Sequence, residues 1–225
     1  MEQNFLVDQF QKGGPVMWPL LACSLLALAF ILERIWTLVI RVPKLSEAEA
    51  YLDEVEGILK NEGEEAAVQK VAKGKGVLNY VFAALLKRFD ALVLEQREME
   101  DMRRELITAA DEAGASYLGR FLEALSTIGT IAPLLGLLGT ITGMIRAFSA
   151  IAVAGVGDPQ AVAKGISEAL ITTATGLMIA IPTIVFYRWL ASRADKVLEE
   201  IELYTHTFGN TLLMSYWKER QEKSA

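Results

Sequence analysis

The chain has 225 residues, 52% of them apolar and 22% charged, with a net charge of −6. That apolar content is odd for a soluble domain but suits apolar spans joined to an acidic, water-exposed part, so no soluble enzyme core is needed to explain it. An acidic balance also gives no reason to expect a nucleic-acid partner. Residues 1–15 read as a short periplasmic segment and 16–38 as a first transmembrane helix, because about 20 uncharged residues rich in Leu and Ala lie between Lys12 and Glu33. A cleaved signal peptide is the competing reading. Scarce positive charge before the span, its length and the lack of a convincing small-residue cleavage site favour retention. Trp18 and Trp36 bracket it as interface anchors. Cys23 is the single cysteine, so no disulfide framework and no metal cluster is expected.

Residues 39–122 form a cytoplasmic helical domain. Ser46 with Glu49 makes a capping-box start after Pro43, and Gly74 and Gly76 break the helix that follows. Leu78, Phe82, Leu85, Leu86 and Phe89 then recur at three- and four-residue intervals. From Leu92 to Leu122 no proline stops a helix that would continue into the second span, which predicts a helical stalk. Its many charges, among them Glu95, Arg97, Glu100 and Arg104, read as a solvated face with ion pairs rather than a docking surface.

The second span covers 123–152. Gly129, Gly136 and Gly143 repeat every seven residues with Gly139 between them, a flat face that lets helices approach closely in lipid; Pro133 should kink it. Thr140 lies in that face and either bonds its own helix carbonyl or contributes to a polar path. Arg146 snorkels outward or pairs with a neighbouring acid. A periplasmic loop, 153–164, carries the turn-forming Gly-Val-Gly-Asp-Pro run at 155–159.

The third span, 165–190, begins with the lone carboxylate Glu168, followed by an uncharged stretch at 169–187 that holds Thr172, Thr173 and Thr175. About 19 residues at 1.5 Å each give about 28 Å, close to the hydrocarbon thickness of a bilayer. Polar groups at that depth face protein or water, which points to an ion path. At about 100° per residue, Thr172 and Thr175 fall within about 40° of Glu168, whereas Thr173 falls about 140° away with Ala169, Gly176 and Ala180. Both faces stay open. Pro182 should kink this span, and residues 191–225 continue as a cytoplasmic helix with an apolar stripe at Val197, Ile201, Tyr204 and Phe208. His206, the only histidine, is expected to lack a partner at ligand or triad spacing. Basic residues cluster after the first and third spans and before the second, placing the N-terminus outside and the C-terminus in the cytoplasm. No nucleophile with a base lies in the spans, so an enzyme is not expected.

The segments LLGLLGTITGMIRAF (134–148) and GISEALITTATGLMIAIPTIVFYRWL (165–190) resemble the two signature helices of the ExbB/TolQ/MotA proton-channel family, and the first span resembles that of its ExbB-like members. The resemblance implies an all-α membrane protein with three transmembrane helices, the second and third extended into a cytoplasmic helical bundle, forming a pentameric ring around a central pore. It carries the family's ion-pathway positions onto Thr140, Glu168 and Thr173 and leaves Thr172 and Thr175 as secondary pathway candidates. Gly136, Gly139, Gly143 and Gly176 fall to helix packing. It further implies a Gram-negative inner-membrane location, a single-span ExbD/TolR-like partner present as a dimer in the pore, and a TonB/TolA-like protein to be energised. Threonine hydroxyls scarcely titrate and no Asp lies in any span, so the partner would bring the titrating aspartate. No cofactor is implied; the translocated ion is a proton in preference to sodium. A flagellar stator typically has four spans where three are visible here. A TolQ-like envelope role and a non-conducting membrane scaffold are the alternatives.

Overall fold

The computed structural model describes residues 8–41, 45–154 and 159–224. Regular structure among them is helical: α1 (Met17–Ile35), prolonged by a π-helical turn (Trp36–Ile40), α2 (Leu45–Glu62), α3 (Glu64–Lys73), α4 (Val77–Leu94), α5 (Met99–Gly119), α6 (Leu122–Ala154) and α7 (Pro159–Ser224). Helix α2 begins one residue ahead of Ser46. Pro43 and the 155–158 part of the expected outer turn lie outside the described residues.

Three helical stretches are long and apolar enough to cross a bilayer, at Met17–Ile40, Leu122–Ala152 and Val162–Lys218. The last has 57 residues. At 1.5 Å per residue it is about 85 Å long, nearly three hydrocarbon thicknesses of about 30 Å, so only part of it lies in lipid. Helices α6 and α7 continue through Pro133 and Pro182. Each proline lacks an N–H, so the carbonyls of Gly129 and Met178, four residues earlier, lose their ladder donors.

The chain divides into two compact units. The first holds the residues up to Arg34 together with Phe121–Leu190. Its buried cluster is small, with Met17, Leu20, Ala132 and Ala180 at the centre. Within the apolar 18-residue window of each stretch only 22%, 33% and 28% is buried, and Leu25, Leu28, Leu137, Ile145, Leu170 and Met178 stand exposed. These faces are left for lipid or other chains, since apolar contact alone drives little association between helices in lipid.

The second unit holds Ile35–Arg120 and the chain from Ala191 onward, a bundle of α2 to α5 with the C-terminal part of α7. Both apolar stripes expected from sequence are buried in it: Leu78, Phe82, Leu85, Leu86 and Phe89 on α4, and Val197, Ile201, Tyr204 and Phe208 on α7. Phe82 stacks on Phe208 with centroids 4.3 Å apart and on Tyr51 at 5.8 Å. The break at Gly74 and Gly76 separates α3 from α4, where the Asn79 amide donates to the Val71 carbonyl at 3.3 Å. Gly63, at φ +90°, adds an unanticipated break between α2 and α3.

The continuous helix expected between Leu92 and the second span is corrected. One interruption follows α4, where Gln96 takes φ +52°. A second follows Gly119: Arg120 is extended (φ −51°, ψ 134°), Phe121 turns left-handed at φ +63°, and α6 starts afresh at Leu122. Helix α7 thus carries on without a break past the third span to Ser224, whereas the second span is not a continuation of α5. The charged faces carry ion pairs such as Arg88–Glu105 (2.7 Å), Arg97–Glu95 (3.0 Å) and Arg104–Glu100 (3.7 Å). Solvent screens exposed pairs of this kind, so they add little to stability.

Candidate functional site

Helices α6 and α7 pack antiparallel, because contacts that step forward along one step back along the other. Small residues set their spacing. A methyl placed on Gly143 would lie 2.7 Å from the Gly165 carbonyl oxygen, on Gly136 3.0 Å from the Thr172 carbonyl, and on Gly176 2.6 Å from the Ala132 carbonyl. Backbone thus meets backbone along the seam, as the glycine repeat predicts. Gly139 faces a side chain instead: its methyl would sit 2.2 Å from the Thr172 hydroxyl.

Within this seam the hydroxyls of Thr140 on α6 and Thr173 on α7 bond to each other. Both also reach two carbonyls. Thr140 lies 3.4 Å from Gly136 O and 3.3 Å from Ala169 O, and Thr173 lies 3.2 Å from each of the same two oxygens. Two hydroxyl hydrogens serve more than two acceptors, so either hydroxyl can donate to the other while the second donates to a carbonyl. Such a pair can reverse its polarity and can orient water or bond a carboxyl. It cannot itself supply or take up a proton near neutral pH.

Glu168 lies one turn before Thr172 and is buried, with 6% exposure. Its carboxylate accepts from the Arg146 guanidinium on α6, and that side chain is half exposed. The two charges that the sequence showed separately form one ion pair. Gly14, at φ +69°, covers it: a methyl there would fall 2.0 Å from the Glu168 oxygen and 3.2 Å from Arg146 Nη1. The adjacent glycines ahead of the first span were the available signal for this contact.

The wheel posed a choice between two faces of the third span, and the packing takes parts of both. Thr172, fully buried, turns toward Gly139 and donates within its own helix to the Glu168 and Ala169 carbonyls, each at 3.0 Å. Thr175 donates to Ile171 O at 2.8 Å and makes no described contact with Thr140 or Thr173. Thr183, 2% exposed and donating to Ile179 O at 2.7 Å, is a buried hydroxyl that sequence reasoning passed over. His206, expected to have no partner at ligand or triad spacing along the chain, has one on a distant helix. In the second unit its Nε2 lies 3.1 Å from Asp111 Oδ1, a pairing between helices that no spacing along the chain could reveal.

Fold and site together define a multi-span helical membrane protein whose last two spans meet through glycines and paired hydroxyls, with an ion pair at one end of the seam. The sequence profile of the MotA/TolQ/ExbB proton channel family matches residues 73–203. The biopolymer transport protein ExbB-like 1 of Synechocystis sp. is 35% identical over 94% of this chain and 79% of its own length. The biopolymer transport protein exbB1 of Vibrio cholerae is 30% identical over 85% of this chain and 82% of its own. The Tol-Pal system protein TolQ of Haemophilus influenzae is 38% identical over 39% of each. This chain belongs to the MotA/TolQ/ExbB proton channel family, and its role is of the proton-channel type found in ExbB and TolQ systems.

Proposed function

We propose that the chain is the ring-forming subunit of a proton-driven motor in a Gram-negative inner membrane, of the ExbB kind. Five copies would surround two copies of a single-span ExbD/TolR-like partner and energise a TonB/TolA-like protein for outer-membrane transport or maintenance. The N-terminus lies in the periplasm and the C-terminus in the cytoplasm. The observation that carries this reading is the Thr140–Thr173 hydroxyl pair, held between two spans that contain no aspartate. Hydroxyls can receive and orient a carboxyl but not titrate, so the pair suits a path completed by a partner's aspartate. Protons flowing inward would protonate and release that carboxyl in turn and bias the partner's rotation or rearrangement. Glu168, neutralised by Arg146, stands at the outer end as the group that admits or tunes entry.

The test is proton uptake by liposomes holding the chain with its partner. Thr173→Ala or Thr140→Val lowers uptake by about tenfold, the rate equivalent of one lost hydrogen bond of about 1.4 kcal/mol. Equal uptake by wild type and both variants removes these threonines from the path. The near contact of backbones along the seam favours, as a second reading, a non-conducting scaffold in which the same hydroxyls only pack helices. It predicts normal assembly with the partner and no proton uptake at all.

A further inference from the structure

We infer that Asp111, Glu202 and His206 form a site for one divalent first-row metal ion, best suited to Zn2+, that clamps α5 to the C-terminal part of α7. One ligand atom from each residue, two carboxylate oxygens and an imidazole nitrogen, lies within 4.8 Å of both others. Oxygen and nitrogen ligands at about 2.0–2.1 Å around a tetrahedral Zn2+ are separated by about 3.3–3.4 Å, so gathering these three needs a movement on the order of 1 Å. The side chains can make it. Glu202 faces solvent and is free to rotate, and Asp111, 48% exposed, already lies 3.1 Å from His206, itself 25% exposed, so the larger movement falls to Glu202.

Helical geometry supplies half of the chelate, because Glu202 and His206 are four residues apart and share one face of α7. Asp111 comes from a different helix, so a bound ion would bridge segments distant in sequence. A structural pairing of Asp111 with His206 would not require Glu202 nearby. Its presence sets a second carboxylate against the first around one imidazole, a repulsion that a dication converts to attraction. No cation pairs with the Glu202 carboxylate among the described ion pairs. Imidazole with carboxylates suits Zn2+, whereas Mg2+ and Ca2+ favour oxygen ligands alone, and solvent at the exposed side leaves a fourth position for water.

The experiment uses the untagged full-length chain in detergent, stripped with chelator and titrated calorimetrically with ZnCl2. One Zn2+ binds per chain, and Glu202→Gln, which leaves the Asp111–His206 contact in place, weakens binding by at least about tenfold, as His206→Ala does. Millimolar MgCl2 or CaCl2 does not displace it. A readout on the wild-type chain alone uses the single histidine: ZnCl2 slows carbethoxylation of His206 several-fold. No Zn2+ uptake by the wild type, equal affinity in Glu202→Gln, or an unchanged His206 modification rate each overturns the site.

Discussion

Replacing Gly176 with alanine tests whether backbone contact between α6 and α7 holds the hydroxyl pair in place. The added methyl would lie 2.6 Å from Ala132 O, 3.1 Å from Gly136 Cα and 3.3 Å from Gly136 N, all backbone atoms that cannot rotate away. Reaching ordinary contact at about 3.4 Å requires the helices to part by about 0.8 Å at this level, and overpacking of that kind costs about 1–3 kcal/mol. The same opening lengthens the Thr173–Gly136 O contact, now 3.2 Å, beyond hydrogen-bonding range. Interhelical hydrogen bonds in membranes contribute about 0.6 kcal/mol each and alanine in a helix interior returns about 0.5–1 kcal/mol, so the net loss is about 1–3 kcal/mol. Two controls bracket the effect. At Gly129 the obstacle is the Ile184 side chain at 2.7 Å, which can change rotamer, so Gly129→Ala costs less. Gly57 lies inside α2 with nothing within 4 Å of an added methyl, and Gly57→Ala stabilises by about 0.5–1 kcal/mol. Denaturation of the purified chains from detergent micelles, followed by helix content, gives the ranking. If Gly176→Ala is as stable as wild type, or ranks with Gly129→Ala, the claim that the backbones touch here is wrong.

The other predictions concern charge. Arg146→Ala leaves the buried Glu168 carboxylate without its partner and destabilises by about 2 kcal/mol, below the 3–5 kcal/mol of a fully buried pair because Arg146 is half exposed. Adding Glu168→Gln restores most of that loss, and a double variant no more stable than the single one would show that the two groups are not coupled. In the second unit, burial first and the Glu54 carboxylate second push the Tyr51 hydroxyl up to about 12. Its folded value exceeds the ordinary value of about 10, so its contribution to stability is complete below about pH 10 and is lost as pH rises toward about 12. Ultraviolet titration of the phenolates shows Tyr51 and Tyr204 ionising late, the second raised by burial first and by the nearby Glu49 carboxylate, and Tyr51→Phe removes one of the two; a chain whose tyrosines all ionise near 10 contradicts the burial of the Tyr51 ring.

Periodicity made much of the fold legible, since a stripe such as Leu78, Phe82, Leu85 and Phe89 leaves a helix only one way to hide its apolar side. The glycine face of the second span was legible for the same reason. What helical-wheel arithmetic could not provide was the width of the seam. It assigned Thr172 and Thr173 to different faces, yet glycines bring α6 so close that its surface reaches both, meeting Thr172 at Gly139 and Thr173 at Gly136 and Thr140. Arg146 and Glu168 were each visible as charges near one end of their spans, but their pairing depends on the register between two helices, which no residue of the intervening loop announces. His206 and Asp111 were hidden in the same way.

The break between α5 and α6 has no proline to mark it in the sequence, and absence of proline permits a helix to continue without requiring it. A left-handed residue other than glycine costs about 1–2 kcal/mol, so Phe121 holds φ +63° only if its surroundings return more than that. They lie in a different part of the chain: the Phe30 ring stacks on Phe121 at 4.9 Å and 10° between planes, and the Arg34 guanidinium sits 5.6 Å from the ring centroid. Aromatic pairing adds about 0.5–1.5 kcal/mol beyond area burial and a cation over a ring about 0.5–2 kcal/mol, together enough to offset the turn. Arg34 is itself only 2% exposed, so its charge is desolvated and the larger part of that range applies. A helix continuing through 119–122 would swing Phe121 off both partners, and the first span would lose the residue that packs on its basic end.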